Sequence, residues 1–186
     1  EGRAFSAGGD LKGFEEALHA GGTTLVDMLR YNQDVLQRVE NIAVPVVGAA
    51  NGLAIAGGLE LLLCCDIILA AEGARLGDGH ARYGIVPAGG ATVRLRERLS
   101  PSHAAQLFYT AGSYDVATLA AWGLVNEVVP GDRLLHRAKE LGAEISQNSP
   151  QAIRQIKALT GRPFSSAARP EQLRKEIEHW ADHVQG

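Results

Sequence analysis

The chain is poor in cysteine, in any excess of one charge sign and in long apolar runs. Among its 186 residues there are two cysteines, Cys64 and Cys65, adjacent and inside an apolar stretch. Neighbouring cysteines seldom pair with each other, and buried ones act as small hydrophobes. No disulfide framework is expected, and a reducing, cytoplasmic setting fits. Lys and Arg total 18 against 21 Asp and Glu, a net charge of −3. That balance implies no basic face, so nucleic acid is not an expected partner. It leaves room for an anionic ligand, because backbone amides and a few arginines can hold phosphate locally. The best candidate for a bilayer span is interrupted by Glu60 and Asp66, so no membrane partner is expected. No secretory leader and no Asn-x-Ser/Thr acceptor site is read.

What is present is enough apolar material, 46% of residues, for one domain with a real core. The stretch NGLAIAGGLELLLCCD, residues 51–66, organises the rest. A β-type run, 44–50, feeds a turn at Asn51-Gly52. Residues 53–56 follow, then a Gly57-Gly58 pair and an apolar helical run, 59–65, with Glu60 in its first turn. A helix N-terminus presents N–H groups without partners in the helix, at the positive end of the dipole. Glycine there lets another molecule approach the backbone. The Gly57 N–H is thus placed to hold an oxygen that becomes negative, and Glu60, about one turn on, can stand beside it. The alternative is that the glycines serve packing and Glu60 is only a first-turn helix charge.

Along the chain, Gly8-Gly9-Asp10 forms a loop into a helix over 11–20. Asp10 suits its cap, and Gly9 is a second candidate N–H donor. Residues 24–41 read as one amphipathic helix on Leu25, Met28, Leu29, Leu36 and Val39. Strands are expected over 66–71, 74–77 and 124–129. Helices are expected over 102–110, 115–122, 132–147, 151–160 and 170–184. The loop 78–90 is dense in chemistry, with Asp78, His80, Arg82 and Tyr83. It is no dinucleotide fingerprint, since Gly77-x-Gly79 does not continue as G-x-G-x-x-G. Arg94, Arg96 and Arg98 on the helix 91–99 read as a solvated or subunit-facing surface. His179 and His183, four apart, read as surface residues rather than half of a metal site, and no metal is expected.

Four stretches together resemble the crotonase superfamily, the enoyl-CoA hydratase/isomerase family: AFSAGGDLK (4–12), NGLAIAGGLELLLCCDIILAAEGARLG (51–77), GIVPAGGATVRL (84–95) and AAWGLVNEVVP (120–130). The resemblance implies an α/β fold, a spiral of ββα units with a helical C-terminal region. On that frame residues 1–130 form the core, lacking the usual first strands, and 131–186 a truncated helical region. The chain is on the order of 70 residues shorter than a typical member. The resemblance implies an acyl-CoA thioester as ligand, with coenzyme A as part of the substrate and no other cofactor, and a homotrimer or homohexamer. Its two thioester-oxygen donors fall on Gly9 and Gly57, and Ala7, Gly9, Asp10, Leu11, Lys12 and Gly57 would line the acyl-CoA.

The family's hydratases use two glutamates. One matches Glu60; the position twenty residues further holds His80. Hydration of a 2-enoyl-CoA is the leading expectation, with Glu60 as base toward water. His80 would supply the proton to the α-carbon, its ordinary pKa suiting transfer near neutrality, and Asp78 is a second candidate donor. Glu60 alone could shuttle a proton between carbons, which would make an isomerase. Decarboxylation, hydrolysis and a non-catalytic acyl-CoA-binding homologue are the other readings.

Overall fold

A computed structural model describes residues 2–10, 12, 13, 16, 22–160 and 168–185, and the side chains of these except 22–24, 168–169 and 183–185. The helix expected over 11–20 lies mostly outside the described residues, as does Leu11. The 19-residue helix α1 spans Gly22–Glu40, with Leu25 and Leu29 buried.

The core grows from repeated strand–strand–helix units. Strand β1 is Ala4–Ser6. Strand β2 (Val47–Ala50) turns at Asn51-Gly52 into β3 (Leu53–Ile55) and then helix α2 (Gly57–Leu63). The next unit is β4 (Ile67–Ala71), β5 (Arg75–Gly77), a 3₁₀ turn His80–Tyr83, and α3 (Ala91–Arg98). Helix α4 (Pro101–Thr110), β6 (Ser113–Asp115), α5 (Val116–Ala121) and β7 (Glu127–Val129) follow. After Val129 the described elements are helices: α6 (Leu134–Ser146), α7 (Pro150–Thr160) and α8 (Ala168–Gln185).

Each unit gives one strand to each of two sheets, ordered β1-β3-β5-β6 and β2-β4-β7. That alternation makes the spiral. Pairing is parallel throughout, Val47 against Ile67 and Leu69 against Glu127, except for antiparallel β5–β6, Leu76 against Tyr114. Parallel strands covered on both faces read as unbroken apolar runs, and IILAA of β4 is one. Asparagines fasten the corners. Asn51 Nδ2 donates to Gly2 O at 2.9 Å, and Asn126 Oδ1 accepts from Ile68 N at 2.8 Å. Gly58 is required by packing: a Cβ there would lie 2.9 Å from Ser6 Cβ and closer still to Ser6 O.

The expected boundaries move by one to three residues, and three three-residue strands, β1, β3 and β6, were not foreseen. The run 44–50 enters its sheet only at Val47, because Val46 N donates to Asp66 Oδ2 at 2.7 Å before the ladder begins. The surface reading of helix 91–99 is corrected for two of its arginines. Arg96 is exposed, but Arg94 is fully buried. Its guanidinium pairs with Glu40 at 2.9 Å and donates to Gly89 O at 2.6 Å. Arg98 Nη2 donates to Leu63 O at 3.2 Å and also to Cys65 O. Charge periodicity exposed nothing of this, since a long cation can cross a helix interface to reach carbonyls that sequence spacing does not reveal. Cys64 and Cys65 are free and buried, and burial, the largest cause, pushes the Cys64 thiol up to about 12. No helix among the described residues is long and apolar enough to cross a membrane.

Arg94→Met should destabilise the full-length protein by about 3–5 kcal/mol, because it removes the buried cation that balances Glu40. Arg96→Met should stay within about 0.5 kcal/mol. Denaturant unfolding of the two variants beside the parent measures the contrast; equal effects would contradict the burial assigned to Arg94.

Candidate active site

Four of the residues singled out in the sequence, Gly9, Gly57, Glu60 and His80, line one largely apolar cavity of about 400 Å³. The walls come from the loop after β1, the end of β3, α2, the 3₁₀ turn, the 85–89 segment, α1 and Trp180 of α8. Ala7 also lines it. Asp10 and Lys12 are exposed and stand outside that lining: Asp10 Oδ1 accepts from Lys12 N at 3.0 Å, as a first-turn cap does, and Lys12 Nζ is 3.9 Å from Glu16.

The entry into α2 is built by Ala56, whose φ of 51° and ψ of −118° suit glycine better than alanine. Such backbone costs about 1–3 kcal/mol and is kept only where the surroundings enforce it. Here Ala56 N donates to Gly77 O at 3.1 Å. The sharp turn makes Gly57 the first helical residue, so its N–H has no partner within the helix. A Cβ placed on Gly57 would sit 3.7 Å from Gly9 N. The two amides are therefore neighbours on the cavity wall.

Glu60 is 4% exposed. Its Oε1 accepts from Gly89 N at 2.8 Å and Ala91 N at 3.2 Å. Glycine at 89 is essential to that arrangement, since a Cβ there would lie 2.6 Å from Glu60 Cδ. Burial, the largest cause, raises the Glu60 carboxyl from an ordinary 4.5 to about 7. The His80 charge pulls down, Glu176 pushes up, and the two amides pull down.

His80 is 8% exposed and held by Asp78, itself 2% exposed. Its Nδ1 lies 2.9 Å from Asp78 Oδ1, and its backbone N donates to Asp78 Oδ2 at 3.3 Å. Burial lowers the imidazole pKa, but the Asp78 hydrogen bond and the charges of Glu60, Asp78 and Glu176 more than offset it, for a net rise above 6.5. Glu60 is thus poised near 7, and His80 is biased toward its charged, proton-giving form, so the two sides of a proton exchange share one cavity. Tyr83 lines the cavity while largely exposed; Arg82 is exposed and does not line it.

The sequence reading missed the groups that hold this site from the last helix and from α1. Glu176 is buried and accepts from Thr92 N at 2.9 Å, Thr92 Oγ1 at 2.5 Å and Gly90 N. Gln33 Nε2 donates to Leu173 O at 3.0 Å and Ala88 O at 3.3 Å, tying α1, the 88–92 segment and α8 together. The signal for Glu176 was a carboxylate beside the buried stripe Leu173, Ile177 and Trp180. His179 is exposed, and the His183 side chain lies outside the described residues. Among the described residues no group of three or more His, Cys, Asp or Glu could hold a metal ion.

A two-sheet spiral of strand–strand–helix units, with two glycine amides and a buried carboxyl on one apolar cavity, is the arrangement of a crotonase-type protein. The chain belongs to the enoyl-CoA hydratase/isomerase family, whose profile matches residues 1–185. It is similar to a probable enoyl-CoA hydratase of Mycobacterium bovis, 32% identical over 165 residues, covering 89% of this chain and 62% of that one. A crotonyl-CoA hydratase of Syntrophomonas wolfei is 38% identical over 126 residues, covering 68% of this chain and 48% of that one. Among solved structures, an enoyl-CoA hydratase/isomerase from Xanthobacter autotrophicus Py2 superposes with TM-score 0.89 at 27% identity, covering 98% of this chain and 67% of that one. An enoyl-CoA hydratase from Mycobacterium avium gives 0.72 at 37% identity, covering 77% and 64%. The chain spans about half to three-fifths of the length of these curated relatives.

The raised Glu60 carboxyl has a thermodynamic consequence. A carboxyl that binds its proton more tightly folded than unfolded stabilises the fold at low pH. That contribution is complete below the ordinary 4.5 and lost as pH rises through about 7. Glu60→Gln, uncharged at every pH, should therefore be more stable than the parent at pH 8, by at most about 3 kcal/mol. The gain should shrink toward pH 5. Thermal unfolding across that range checks it; a variant equally destabilised at all pH values would contradict burial of the charge.

Proposed function

We propose that the chain carries the reaction centre of an enzyme that hydrates a 2-enoyl-CoA thioester. The observation that supports this most is the Glu60 carboxyl, poised near 7, on the same apolar cavity wall as Gly9, Gly57 and His80. The Gly9 and Gly57 N–H groups donate to the thioester oxygen and stabilise the charge that develops there. Glu60, as carboxylate, takes a proton from water while the water oxygen bonds to the β-carbon. The double-bond electrons move to the α-carbon and thioester oxygen as an enolate. His80, as imidazolium, gives its proton to the α-carbon. The product is a 3-hydroxyacyl-CoA, and one proton passing from Glu60 to His80 resets the site.

Coenzyme A enters as part of the substrate, and the reaction draws on no other cofactor. The loop Ala7 to Lys12 lies along the CoA in this reading. Ala7 and Gly9 on the cavity wall support it, as does an exposed Lys12 only weakly tied to Glu16. A homotrimer or homohexamer is the proposed assembly. Exposed Val44, Ile156 and Leu159 support it, and Lys157, next to Ile156 in sequence, donates Nζ to Val44 O at 2.8 Å. An isomerase would need only Glu60 to carry a proton between two carbons.

On the full-length protein, crotonyl-CoA should lose its conjugated enoyl-thioester absorbance with formation of 3-hydroxybutyryl-CoA. Glu60→Gln should lower that rate about 10²–10⁴-fold. Bound crotonyl-CoA with no turnover would overturn the hydration reading; a 3-enoyl-CoA shifted to its 2-isomer instead would favour the isomerase.

A further inference from the structure

The proposed hydration leaves unexplained how a histidine, at a position where the family's hydratases keep a carboxylic acid, is held ready to give a proton. An imidazole has two nitrogens, and only a ring fixed in one tautomer and orientation presents a defined acid or base. We infer that Asp78 is a positioning residue for that step. It binds Nδ1 of His80 and so leaves Nε2 as the nitrogen that exchanges a proton with the substrate. The inference rests on the hydration reading for its chemistry and on geometry for its placement.

The geometry is a double hold. Asp78 Oδ1 lies 2.9 Å from His80 Nδ1, and Asp78 Oδ2 accepts from the His80 backbone N at 3.3 Å. A carboxylate accepts only, so the imidazole nitrogen facing it must carry the hydrogen. The same two-residue spacing fixes ring and main chain together, at the start of a 3₁₀ turn bounded by Gly79 and Gly84, both with positive φ. Asp78 is 2% exposed and does not line the cavity, whereas His80 does. Asp78 thus acts on the reaction only through His80. The charged groups that face His80 are Asp78 beside it, Glu60 from α2 and Glu176 from α8. All three favour the imidazolium, and Asp78 is the one in hydrogen-bond contact. This arrangement serves in place of a second carboxylic acid. The proton bound at Nε2 passes to the α-carbon, the ring becomes neutral with its hydrogen on Nδ1, and Asp78 keeps it in that tautomer until Nε2 is protonated again.

The test uses full-length protein and Asp78→Asn, which keeps the shape of the side chain and removes its charge. Two readouts are taken. The first is the pH dependence of kcat for crotonyl-CoA. His80 works as an acid, so activity falls as pH rises through its pKa, and losing Asp78 should move that alkaline limb down by about one pH unit. The rate at the optimum should drop by at least about tenfold, with KM little changed. The second is nitrogen NMR of labelled histidine without substrate, with the His80 signal assigned from His80→Gln. The parent should show a neutral ring protonated on Nδ1, and the variant should titrate at lower pH. An unmoved alkaline limb, or a His80 titration and tautomer identical in both proteins, would overturn the inference. Absence of crotonyl-CoA turnover in the parent would instead overturn the hydration reading, while the NMR result still decides the Asp78–His80 pairing.

Discussion

The site depends on the N-terminus of α3. Helix α3 has no side-chain cap of its own, since Gly90 occupies the N-cap. Its free amides are taken by two carboxylates from elsewhere: Glu60 holds Gly89 N and Ala91 N, and Glu176 holds Gly90 N and Thr92 N. A helix start is the place where buried negative charge costs least, because the amides and the dipole both favour it. That arrangement lets an acidic side chain stay inside an apolar cavity without an arginine directly on it. The nearby cation, Arg94, instead binds Gly89 O and Glu40. It braces, from the carbonyl side, the peptide whose Gly90 N–H Glu176 holds. A carboxylate paired directly with Arg94 would be held well below neutrality and would be a poor proton acceptor.

The buried electrostatics therefore have a direction. Desolvation raises Glu60, the His80 charge lowers it, and Glu176 raises it again. His80 feels the reverse pull, raised by three carboxylates against its own burial. The same few side chains thus raise a carboxyl toward neutrality and bias an imidazole toward its charged form. The proposed hydration adds a proton at one carbon and removes one from water. A proton acceptor poised near neutrality together with a group biased toward its proton-giving form suits that chemistry.

Much of this was legible in the sequence where the cause is local. Gly57 and Glu60 sit one turn apart on the same helix start, and the glycine pair ahead of an apolar helical run marked that start directly. His80 followed from the family resemblance, but its burial against Asp78, Glu60 and Glu176 did not, since two of those three lie on distant helices. The three-residue strands β1, β3 and β6 were not legible, because three residues carry no alternation to read. Glu176 was not legible because the amide it serves is 86 positions away. Arg94 was misread for the same reason, since its partner Glu40 is 54 positions distant. Spacing along a helix says which side chains share a face, but not what that face meets. Trp180 and Gln33 complete the site only because α8 and α1 pack over the 85–89 segment.

Burial and the α3 amides together set Glu60 to exchange a proton near neutral pH, and the proposed chemistry stands on that. The direct measurement is a carbon NMR titration of glutamate carboxyls in the folded full-length protein without ligand, with the Glu60 signal identified by its loss in Glu60→Gln. The expected midpoint for that signal is about 7. A midpoint near the ordinary 4.5 would contradict it, and would mean that Glu60 is an ionised helix-start charge with no tuning toward proton transfer.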